Sequence, residues 1–345
     1  MSEQHPTARD EIYQHKILQG VSRTFALTIP QLPGPLARVV GNAYLLCRIA
    51  DTIEDDKQLT FEQKREFSEA FIQVVVGKLP ADKFAQTLSP LLSESNSDAE
   101  LDLIENTAAV IRITRSFNER QRLALEKCVR IMADGMAEYQ ESNVANGLAD
   151  QADMDIYCYY VAGVVGEMLT ELFCDYSEEI NQHYADLQTL AISFGQGLQM
   201  TNILKDIWDD QKRNMCWLPR SVFEQHGSDI AALQQQHKDQ NFQNAIAHLI
   251  GVAYGHLENA LQYTLLIPKN ETGLRRFCLY AIGMAVLTLR KINRRRDFTT
   301  AEQVKISRRS VKLTVALSNL LAGNDYLLRQ TFRLATRSIA RNKPL

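Results

Sequence analysis

Two acidic clusters in this 345-residue chain have the residue types and the spacing to bind a divalent cation. Asp51 and Asp55 form the first pair, and Asp206 and Asp210 form the second, about 155 residues later. Residues four apart on an α-helix project from one face, and two like charges there repel by roughly a few tenths of a kcal/mol. Mg²⁺ is typically held by one or two carboxylates together with substrate phosphates. The spacing therefore predicts a cage for a diphosphate and its metal ions, formed by both pairs.

The second pair belongs to a longer polar stripe. Two amides and two carboxylates follow one another at steps of three, four and four: Gln199, Asn202, Asp206 and Asp210. These steps place all four on one helical face. A solvated polar stripe is the alternative interpretation, but the flanking residues are mainly apolar. Because all four side chains present oxygens, which hard cations prefer, the pattern favours a metal site.

Three arginines and a serine near the clusters have the chemistry to hold phosphate oxygens. Arg48 shares a helix face with the first acidic pair, although a surface ion pair of little energetic weight is the alternative. Ser22 and Arg23 combine a hydroxyl with a guanidinium, which suits phosphate binding and equally suits a helix cap with a solvated arginine. Arg213 follows the second cluster closely enough to reach back to phosphate.

The stretch 157–166 is predicted to be helical, yet it contains Gly163 and Gly166. Glycine inside a helix is about 1 kcal/mol less favourable than alanine, so both glycines need a reason. Close packing against another helix is one reason, and room for a bulky apolar ligand is the other. Tyr157 and Tyr160 are either core aromatics or proton carriers beside a carbocation.

The net charge and the absence of common motifs argue against several classes of function. Lys and Arg total 38 against 41 Asp and Glu, a net charge of −3 that does not suggest a nucleic-acid partner. The locally basic stretch 290–312 is either a solvated face or an attraction site for an anionic cofactor or an acidic membrane surface. The seven histidines form no metal-spaced cluster, and nucleotide-binding and hydrolase motifs are absent.

Cysteine usage and hydropathy predict the compartment. Six scattered cysteines, none in a Cys-x-x-Cys pair, predict buried free thiols in a reducing compartment. The polar N-terminus lacks a secretory signal, and no run reaches the roughly 18 uncharged apolar residues that span a bilayer. The C-terminal stretch 315–341 predicts an amphipathic helix. We therefore expect a cytoplasmic protein with peripheral contact at the inner membrane surface.

The elements that must position these residues are helices. No proline occurs between Pro90 and Pro219, and apolar residues recur there at the 3.6-residue period. The sequences at 60–63 and 97–100 have capping-box spacing, and Asp150 or Asp153 is expected to cap the helix through Tyr157. The whole chain, residues 1–345, is predicted to be one all-α domain, a bundle around a central space. Its predicted helices include 35–52, 98–115, 118–142, 153–174, 184–210 and 309–340.

Four ordered blocks of this sequence resemble the signature blocks of the squalene and phytoene synthases. They are Ser22-Arg23-Thr24-Phe25, 44–56, 157–166 and 199–210, and the resemblance covers roughly residues 15–310. The Tyr157 block, with Phe277-Cys278 and 304–308, is most similar to the squalene-synthase branch. The resemblance implies the isoprenoid-synthase fold and head-to-head joining of two farnesyl diphosphates to presqualene diphosphate, which NADPH then reduces to squalene. A phytoene or dehydrosqualene synthase, without the reduction, is the alternative.

The same resemblance implies roles for single residues. Mg²⁺, or Mn²⁺ in its place, would be held by Asp51, Asp55, Asn202, Asp206 and Asp210, with Asp51 and Asp206 triggering ionisation. Diphosphate would be bound by Ser22, Arg23, Arg48, Lys205 and Arg213, while Gln199 assists the second metal site. Tyr157, with Tyr44 as a second candidate, would aid ionisation or carry a proton. The apolar tunnel would be lined by Phe25, Val161, Leu169, Phe173 and Phe277. NADPH would be bound by Lys305 and Arg308.

Two departures from the family's pattern stand out. Lys205 precedes Asp206 where many relatives carry arginine, which keeps the charge but loses the bidentate fork. The membrane anchor typical of eukaryotic squalene synthases is not found in this sequence, so a bacterial-type protein is expected. A non-catalytic protein of the same fold, such as an assembly factor, is a third hypothesis, and the four carboxylates argue against it.

Overall fold

The computed structural model describes residues 5–22, 24–141, 144–233 and 238–339 of the chain. In this described part the regular structure is helical, apart from one isolated parallel bridge between Leu148 and Pro219, which confirms the all-α expectation. The chain forms two compact units, Met1–Glu141 with Glu167–Asn181 and Ser142–Gly166 with Gln182–Leu345. A single domain over residues 1–345 stays a prediction.

The α-helices of the described residues are, in chain order, α1 Ala8–Val21, α2 Phe25–Thr28, α3 Gly34–Asp55, α4 Phe61–Val75, α5 Ala81–Leu88, α6 Asp98–Glu105, α7 Thr107–Arg115, α8 Glu119–Glu141, α9 Gln151–Cys158, α10 Val164–Tyr176, α11 Glu178–Asn181, α12 Tyr184–Lys212, α13 Arg220–Gln225, α14 Gln240–Leu266, α15 Thr272–Arg294, α16 Ala301–Val304, α17 Arg308–Leu321 and α18 Asp325–Thr336. Short 3₁₀ turns occupy Ile29–Gln31, Ser89–Leu91, Val144–Asn146 and Ile230–Ala232, and a π-helical turn occupies Tyr159–Gly163.

Helix α3 is the centre of the first unit and carries the first acidic pair. It packs against α1, α4, α6, α7 and α8. Its buried face includes Leu45, Leu46, Ile49 and Ile53, none of which keeps exposed surface. Burial of a side chain of this kind stabilises the fold by about 1.5–3 kcal/mol. Because α3 packs against five neighbouring helices, its remaining face is held in a fixed orientation.

A buried polar network fixes α3 to its neighbours in this unit. Asn42 is fully buried and donates to Gln14 Oε1 and to the Val110 carbonyl, each at 3.0 Å. The Thr114 hydroxyl donates to Asn42 Oδ1 at 2.7 Å. Since a buried amide is stable only when its hydrogen bonds are satisfied, this network sets the register of α1, α3 and α7.

Helix α12 is the centre of the second unit and carries the second acidic pair. It packs against α14, α15 and the π-helical turn. A Cβ added to Gly195 would lie 2.2 Å from the Ala162 carbonyl oxygen, and one added to Gly166 would lie 2.2 Å from the Ala191 carbonyl oxygen. The glycines therefore allow two backbones to touch. Close packing accounts for Gly166, and for Gly163 beside Ile192, without an appeal to ligand space.

Three predicted helices are divided in the structure. The helix expected over 98–115 is broken at Asn106, whose side chain donates back to the Asp102 carbonyl at 2.9 Å and so competes with helix continuation. The one expected over 153–174 begins after Asp150, which caps α9, and is interrupted by the π-helical turn. The one expected over 309–340 is divided between α17 and α18, where Asn324 caps α18, and its last residue lies outside the described residues.

Two sequence expectations about burial concern cysteines and membrane spans. All six cysteines are free and buried, as expected. Within the described residues one helix, α15, is long and apolar enough to cross a membrane, with a mean hydropathy of 1.2. Because 61% of that window is buried inside the protein, mostly against α14 and α17, the helix also fits the core of a soluble protein.

Candidate functional site

The first acidic pair lies on the free face of α3. Asp51 keeps 34% of its side-chain surface exposed, and Arg48 Nη1 lies 3.8 Å from its Oδ2. Burial raises the pKa of Asp51 to about 7; Arg48 opposes the rise, whereas the carboxylates of Asp55 and Glu54 add to it. A carboxylate crowded in this way is stabilised by any cation that approaches it. Asp55, one turn further on, is exposed.

Glu100 is a site residue that the sequence interpretation missed. It lies on α6, and its carboxylate forms an ion pair with Arg48, 52 positions away in sequence. Its other oxygen accepts from the Ser97 amide at 2.8 Å within a capping box. Glu100 thereby holds the Arg48 guanidinium over the acidic face, while Arg48 Nε is buried without a hydrogen-bond partner among the described residues. The capping box was visible in the sequence, but the contact with Arg48 was not.

Asp56 is the last residue of the first acidic cluster, and its role is structural. It is buried, and its carboxylate accepts from the amides of Gln58, Leu59 and Ser93 and from the side chain of Asn96. Although burial raises the pKa of Asp56, these hydrogen bonds outweigh burial and hold it below its ordinary value. Asp56 therefore fixes the C-terminal end of α3 and is committed to the backbone.

Ser22, Phe25 and Tyr44 come together at another corner of the first unit. Ser22 Oγ accepts from the Phe25 amide at 2.9 Å, so this hydroxyl begins α2. The rings of Phe25 and Tyr44 lie 4.9 Å apart, and the Tyr44 hydroxyl donates to the Val21 carbonyl at 3.0 Å. Burial raises the pKa of Tyr44 above its ordinary value. Arg23 lies outside the described residues.

On α12 an internal cation already bridges two of the predicted metal ligands. Lys205 Nζ lies 3.1 Å from Asp206 Oδ2 and 3.4 Å from Asn202 Oδ1. Asp206 keeps 35% of its side-chain surface exposed. Burial raises the pKa of Asp206 despite the attraction of Lys205, and Asp209 adds to the rise. These two oxygens therefore converge on a point that favours positive charge.

The rest of the stripe becomes more buried toward the end of α12. Arg213 Nη2 donates to Asp210 Oδ1 at 2.6 Å, and the side chain of Asp210 is only 9% exposed. Arg213 is exposed, so its guanidinium neutralises Asp210 from the solvent side. Gln199 lies half-buried two turns before Asp206. Because α12 is one continuous helix, these residues lie along one helical face, as the spacing predicts.

Tyr157 is held by an aromatic stack that the sequence did not indicate. Its ring lies 3.9 Å from the ring of Trp217, with only 6° between the planes. Tyr157 is the penultimate residue of α9, and the π-helical turn begins two residues later, at Tyr159. Such turns inside α-helices are frequent at functional sites. The stack and the turn together fix where this phenol lies in the second unit.

The predicted tunnel residues differ in exposure. Phe173 and Phe277 are buried, at 1% and 6% exposure. Val161, Leu169 and Phe25 are half-buried. Their role as a lining stays a prediction. Lys305 and Arg308 are exposed and contact none of the acidic groups above; Lys305 lies 3.9 Å from Glu302.

The donor sets fit Mg²⁺ by chemistry. Within the described residues no group of three or more His, Cys, Asp or Glu side chains is arranged to hold a metal. Each predicted position instead offers a carboxylate pair, extended on α12 by Asn202. Mg²⁺ usually takes one or two protein carboxylates and completes its shell with water and phosphate, so a pair is sufficient.

Comparison with known proteins identifies similar sequences. A family profile described as Squalene/phytoene synthase matches residues 18–310. Squalene synthase ERG9 of Gibberella zeae is 29% identical over 94% of this chain and 67% of its own length. Squalene synthase of Eremothecium gossypii is 28% identical over 80% and 60%, and the Botryococcus braunii enzyme is 28% identical over 79% and 56%. The chain thus spans between 56% and 67% of the length of these relatives.

Solved structures share the fold. The complex of TcSQS with the ligand BPH1237 has a TM-score of 0.78 at 24% identity and covers 98% of this chain and 94% of that one. A dehydrosqualene synthase with bound ligand has a TM-score of 0.66 at 20% identity, covering 90% and 96%. Squalene synthase HpnC of Alicyclobacillus acidocaldarius has a TM-score of 0.55 at 13% identity, covering 98% and 96%. The all-α isoprenoid-synthase fold is therefore confirmed.

Proposed function

Because this chain belongs to the squalene/phytoene synthase family of prenyltransferases, we propose that it joins two farnesyl diphosphates head to head into presqualene diphosphate and reduces this to squalene with NADPH. The first relatives found are squalene synthases, which favours the squalene product. The alternative is a phytoene or dehydrosqualene synthase, because the family profile covers phytoene synthases as well.

One observation carries the proposal: two aspartates on separate helices are both partly exposed to solvent, and both have a raised pKa. Asp51 and Asp206 are 34% and 35% exposed, and the pKa of each is raised by burial and by neighbouring carboxylates. Structural aspartates such as Asp56 instead have the pKa lowered by saturated hydrogen bonds. Accessible carboxylates that resist ionisation are expected where a protein binds a cation.

The bound metal would neutralise the charge that develops on a departing diphosphate. We propose Asp51 and Asp55 as ligands on α3, and Asn202, Asp206 and Asp210 as ligands on α12, assisted by Gln199. That both pairs serve one diphosphate stays a prediction.

Cationic side chains of this chain would bind the diphosphate oxygens. Arg48 is the best supported, since Glu100 fixes its guanidinium and its side chain keeps 28% of its surface exposed. Lys205, Arg213 and Ser22 complete the proposed set, and Arg23 belongs to it by sequence alone. A carbocation left by ionisation must be kept from water, which is the proposed task of the apolar tunnel residues. The stacked Tyr157, and Tyr44 after it, are the proposed groups for moving a proton.

NADPH, when bound, would supply the reducing equivalent. No dinucleotide fingerprint is present in the sequence. Lys305 follows the end of α16 and Arg308 begins α17; both are exposed cations, and salt bridges from such groups suit the phosphates of a nucleotide. We propose them as the cofactor contact on that basis.

Product identification tests the function. Purified protein is incubated with farnesyl diphosphate and Mg²⁺, with and without NADPH, and the lipid products are identified by mass spectrometry. Squalene that forms only with NADPH supports the proposal. Dehydrosqualene formed with NADPH present, or a C40 product when a longer prenyl diphosphate replaces farnesyl diphosphate, supports the alternative. Absence of any condensation product supports a non-catalytic role.

The substrate proposed here carries a long apolar chain, and the proposed product is a hydrocarbon that partitions into bilayers. We therefore propose that the protein works at the cytoplasmic face of the inner membrane, in peripheral contact with it. The two C-terminal helices, α17 and α18, have the composition for that contact.

A further inference from the structure

Helix α17 has its apolar and polar faces reversed relative to a helix packed on a core. Its buried residues are Thr314 and Ser318. Three of its four leucines face outward: Leu313 is 58% exposed, Leu317 is 38% exposed and Leu320 is 78% exposed. A surface helix of a soluble protein normally shows the opposite arrangement. The reversal needs an apolar partner on the outer side.

The polar face of α17 cannot rotate outward, because it is fitted closely to α15. A Cβ added to Gly283 would lie 2.5 Å from Thr314 Cγ2, so this contact depends on a glycine and a small side chain. The Tyr280 hydroxyl also donates to Asn319 Oδ1 at 2.8 Å. The outward leucines are therefore a property of the folded unit.

The exposed apolar residues are concentrated on the C-terminal helix pair. Leu313, Leu317 and Leu320 follow the i, i+4, i+7 spacing of one helical stripe. Helix α18 adds three more exposed apolar side chains: Tyr326 at 69%, Leu327 at 42% and Leu334 at 65%. These six are half of the twelve exposed large apolar residues in the described chain. Scattered exposed leucines are ordinary, whereas concentrated ones mark an interaction surface.

The charges beside this stripe are positive and uncompensated. Arg309, Lys312, Arg329 and Arg333 are exposed, and no ion pair joins any of them to a carboxylate within the described residues. The single acidic residue of the two helices, Asp325, is already bound by Arg275 at 2.7 Å and by Lys269 at 3.3 Å. Leucines flanked by free cations match the interface of a bilayer that carries anionic headgroups.

We propose that the docking face, defined as the Leu313–Leu317–Leu320 stripe with Arg309 and Lys312, lies on an anionic lipid bilayer. The leucines insert at the boundary of the acyl chains, and the cations pair with lipid phosphates. The exposed residues of α18 extend the same contact. The inference deepens the proposed membrane contact and rests on it, but it does not depend on which product is formed.

A second copy of the chain fits this face less well than a bilayer does. A symmetric dimer brings the same surface of both molecules together. Arg309 and Lys312 of two copies would then approach each other without any carboxylate on the face to separate them. Anionic lipid supplies the missing counter-charge.

Vesicle flotation tests the docking face. The wild-type chain is mixed with vesicles of phosphatidylcholine alone or of equal parts phosphatidylcholine and phosphatidylglycerol. We expect at least about tenfold tighter binding to the anionic vesicles. The variant Leu313→Ser/Leu317→Ser/Leu320→Ser is expected to lose about tenfold or more on both. Arg309→Glu/Lys312→Glu is expected to lose the preference for anionic lipid.

Matched controls come from the first unit. Leu123 is 57% exposed, close to the 58% of Leu313, but no other exposed large apolar residue is found on α8 within the described residues, so Leu123→Ser is expected to bind vesicles as wild type does. Lys16→Glu/Lys83→Glu reverses two exposed charges away from the face and is expected to keep the lipid preference. Circular dichroism verifies the fold of every variant.

Two results would overturn the proposal. One is vesicle binding by the triple serine variant that equals wild-type binding. The other is light scattering in which the serine substitutions dissolve a dimer while vesicle binding persists, which would assign the face to a second copy. Turnover of detergent-dispersed farnesyl diphosphate is measured in parallel. If the wild-type protein forms no product in that assay, only the proposed function is contradicted, because vesicle binding is measured in a separate experiment.

Discussion

The acidic residues of this protein differ in ionisation because their immediate surroundings differ. Asp56 is saturated with backbone hydrogen bonds, which lowers its pKa below the ordinary value despite burial. Asp51 lies one helix turn earlier, and burial together with its acidic neighbours raises its pKa to about 7. The two side chains have the same chemistry, so the contrast comes from the hydrogen-bond donors around them. The donor-poor aspartates are the ones available to a metal.

Substitution of the donor-poor aspartates tests their role in turnover. Asp51→Asn and Asp206→Asn are each expected to lower kcat by about a hundredfold or more, because each removes a charge that would hold the metal. Asp209→Asn is the matched control: Asp209 lies on the same helix, is 48% exposed and pairs with Lys212 at 2.7 Å. We expect that control to keep wild-type turnover. Product formation at several Mg²⁺ concentrations is the measurement. Full turnover by both Asp51→Asn and Asp206→Asn would refute the metal assignment.

At the scale of the element, backbone contact between helices determines the shape of the second unit. The π-helical turn and α10 touch α12 through Gly166 and Gly195, where the carbonyls of Ala191 and Ala162 occupy the space of a side chain. The π-helical turn lies within this contact and begins two residues after Tyr157. Glycine is unfavourable for a helix in isolation. Its presence at these positions is explained by the approach of the two backbones.

A single methyl group should separate these helices. Gly195→Ala is expected to destabilise the protein by about 3 kcal/mol, because its Cβ would overlap a backbone carbonyl that cannot move independently. Gly34→Ala is the control, since nothing lies within 4 Å of a Cβ at Gly34. That change is expected to leave stability unaltered or slightly higher. Urea unfolding followed by circular dichroism measures both. Equal stability of Gly195→Ala and wild type would show that the contact is not tight in solution.

For the whole molecule, buried titratable groups determine the response to acid. In the second unit His256 is 4% exposed, its Nδ1 lies 2.7 Å from Ser193 Oγ, and its Nε2 has no partner among the described residues. Burial lowers the pKa of His256 from 6.5 to about 4. In the first unit, the hydrogen bonds from Arg112 lower the pKa of Asp10 from 3.8 to about 2.

These two pKa shifts predict two pH ranges in which the folded protein loses stability. His256 binds a proton more readily in the unfolded chain than in the folded protein. Its contribution to the free energy of unfolding is therefore complete above pH 6.5 and is lost as the pH falls toward 4. The shift corresponds to about 3 kcal/mol. The contribution of Asp10 is complete above pH 3.8 and is lost as the pH falls toward 2. Urea unfolding as a function of pH measures both. His256→Gln should remove the fall in the free energy of unfolding between pH 6.5 and 4, whereas His15→Gln, at an exposed position, should not. An unchanged dependence on pH in His256→Gln would contradict the assignment.

Local periodicity in the sequence was enough to predict the helical class and the capping boxes at Thr60 and Ser97, both of which are present, although three predicted helices are divided. It was sufficient because these features involve residues within one or two turns of each other, whose geometry the helix itself imposes. Resemblance to a known family then supplied the chemistry, which spacing alone left open.

Only the tertiary structure determined which distant residues meet. Glu100 holds Arg48 from another helix, Trp217 stacks on Tyr157, and the packing of α17 on α15 leaves leucines outside and small polar residues inside. These contacts depend on how packed helices cross and on which neighbours fill the remaining space. No short-range pattern encodes that outcome, because the free energy that selects it is shared by many residues far apart in the chain.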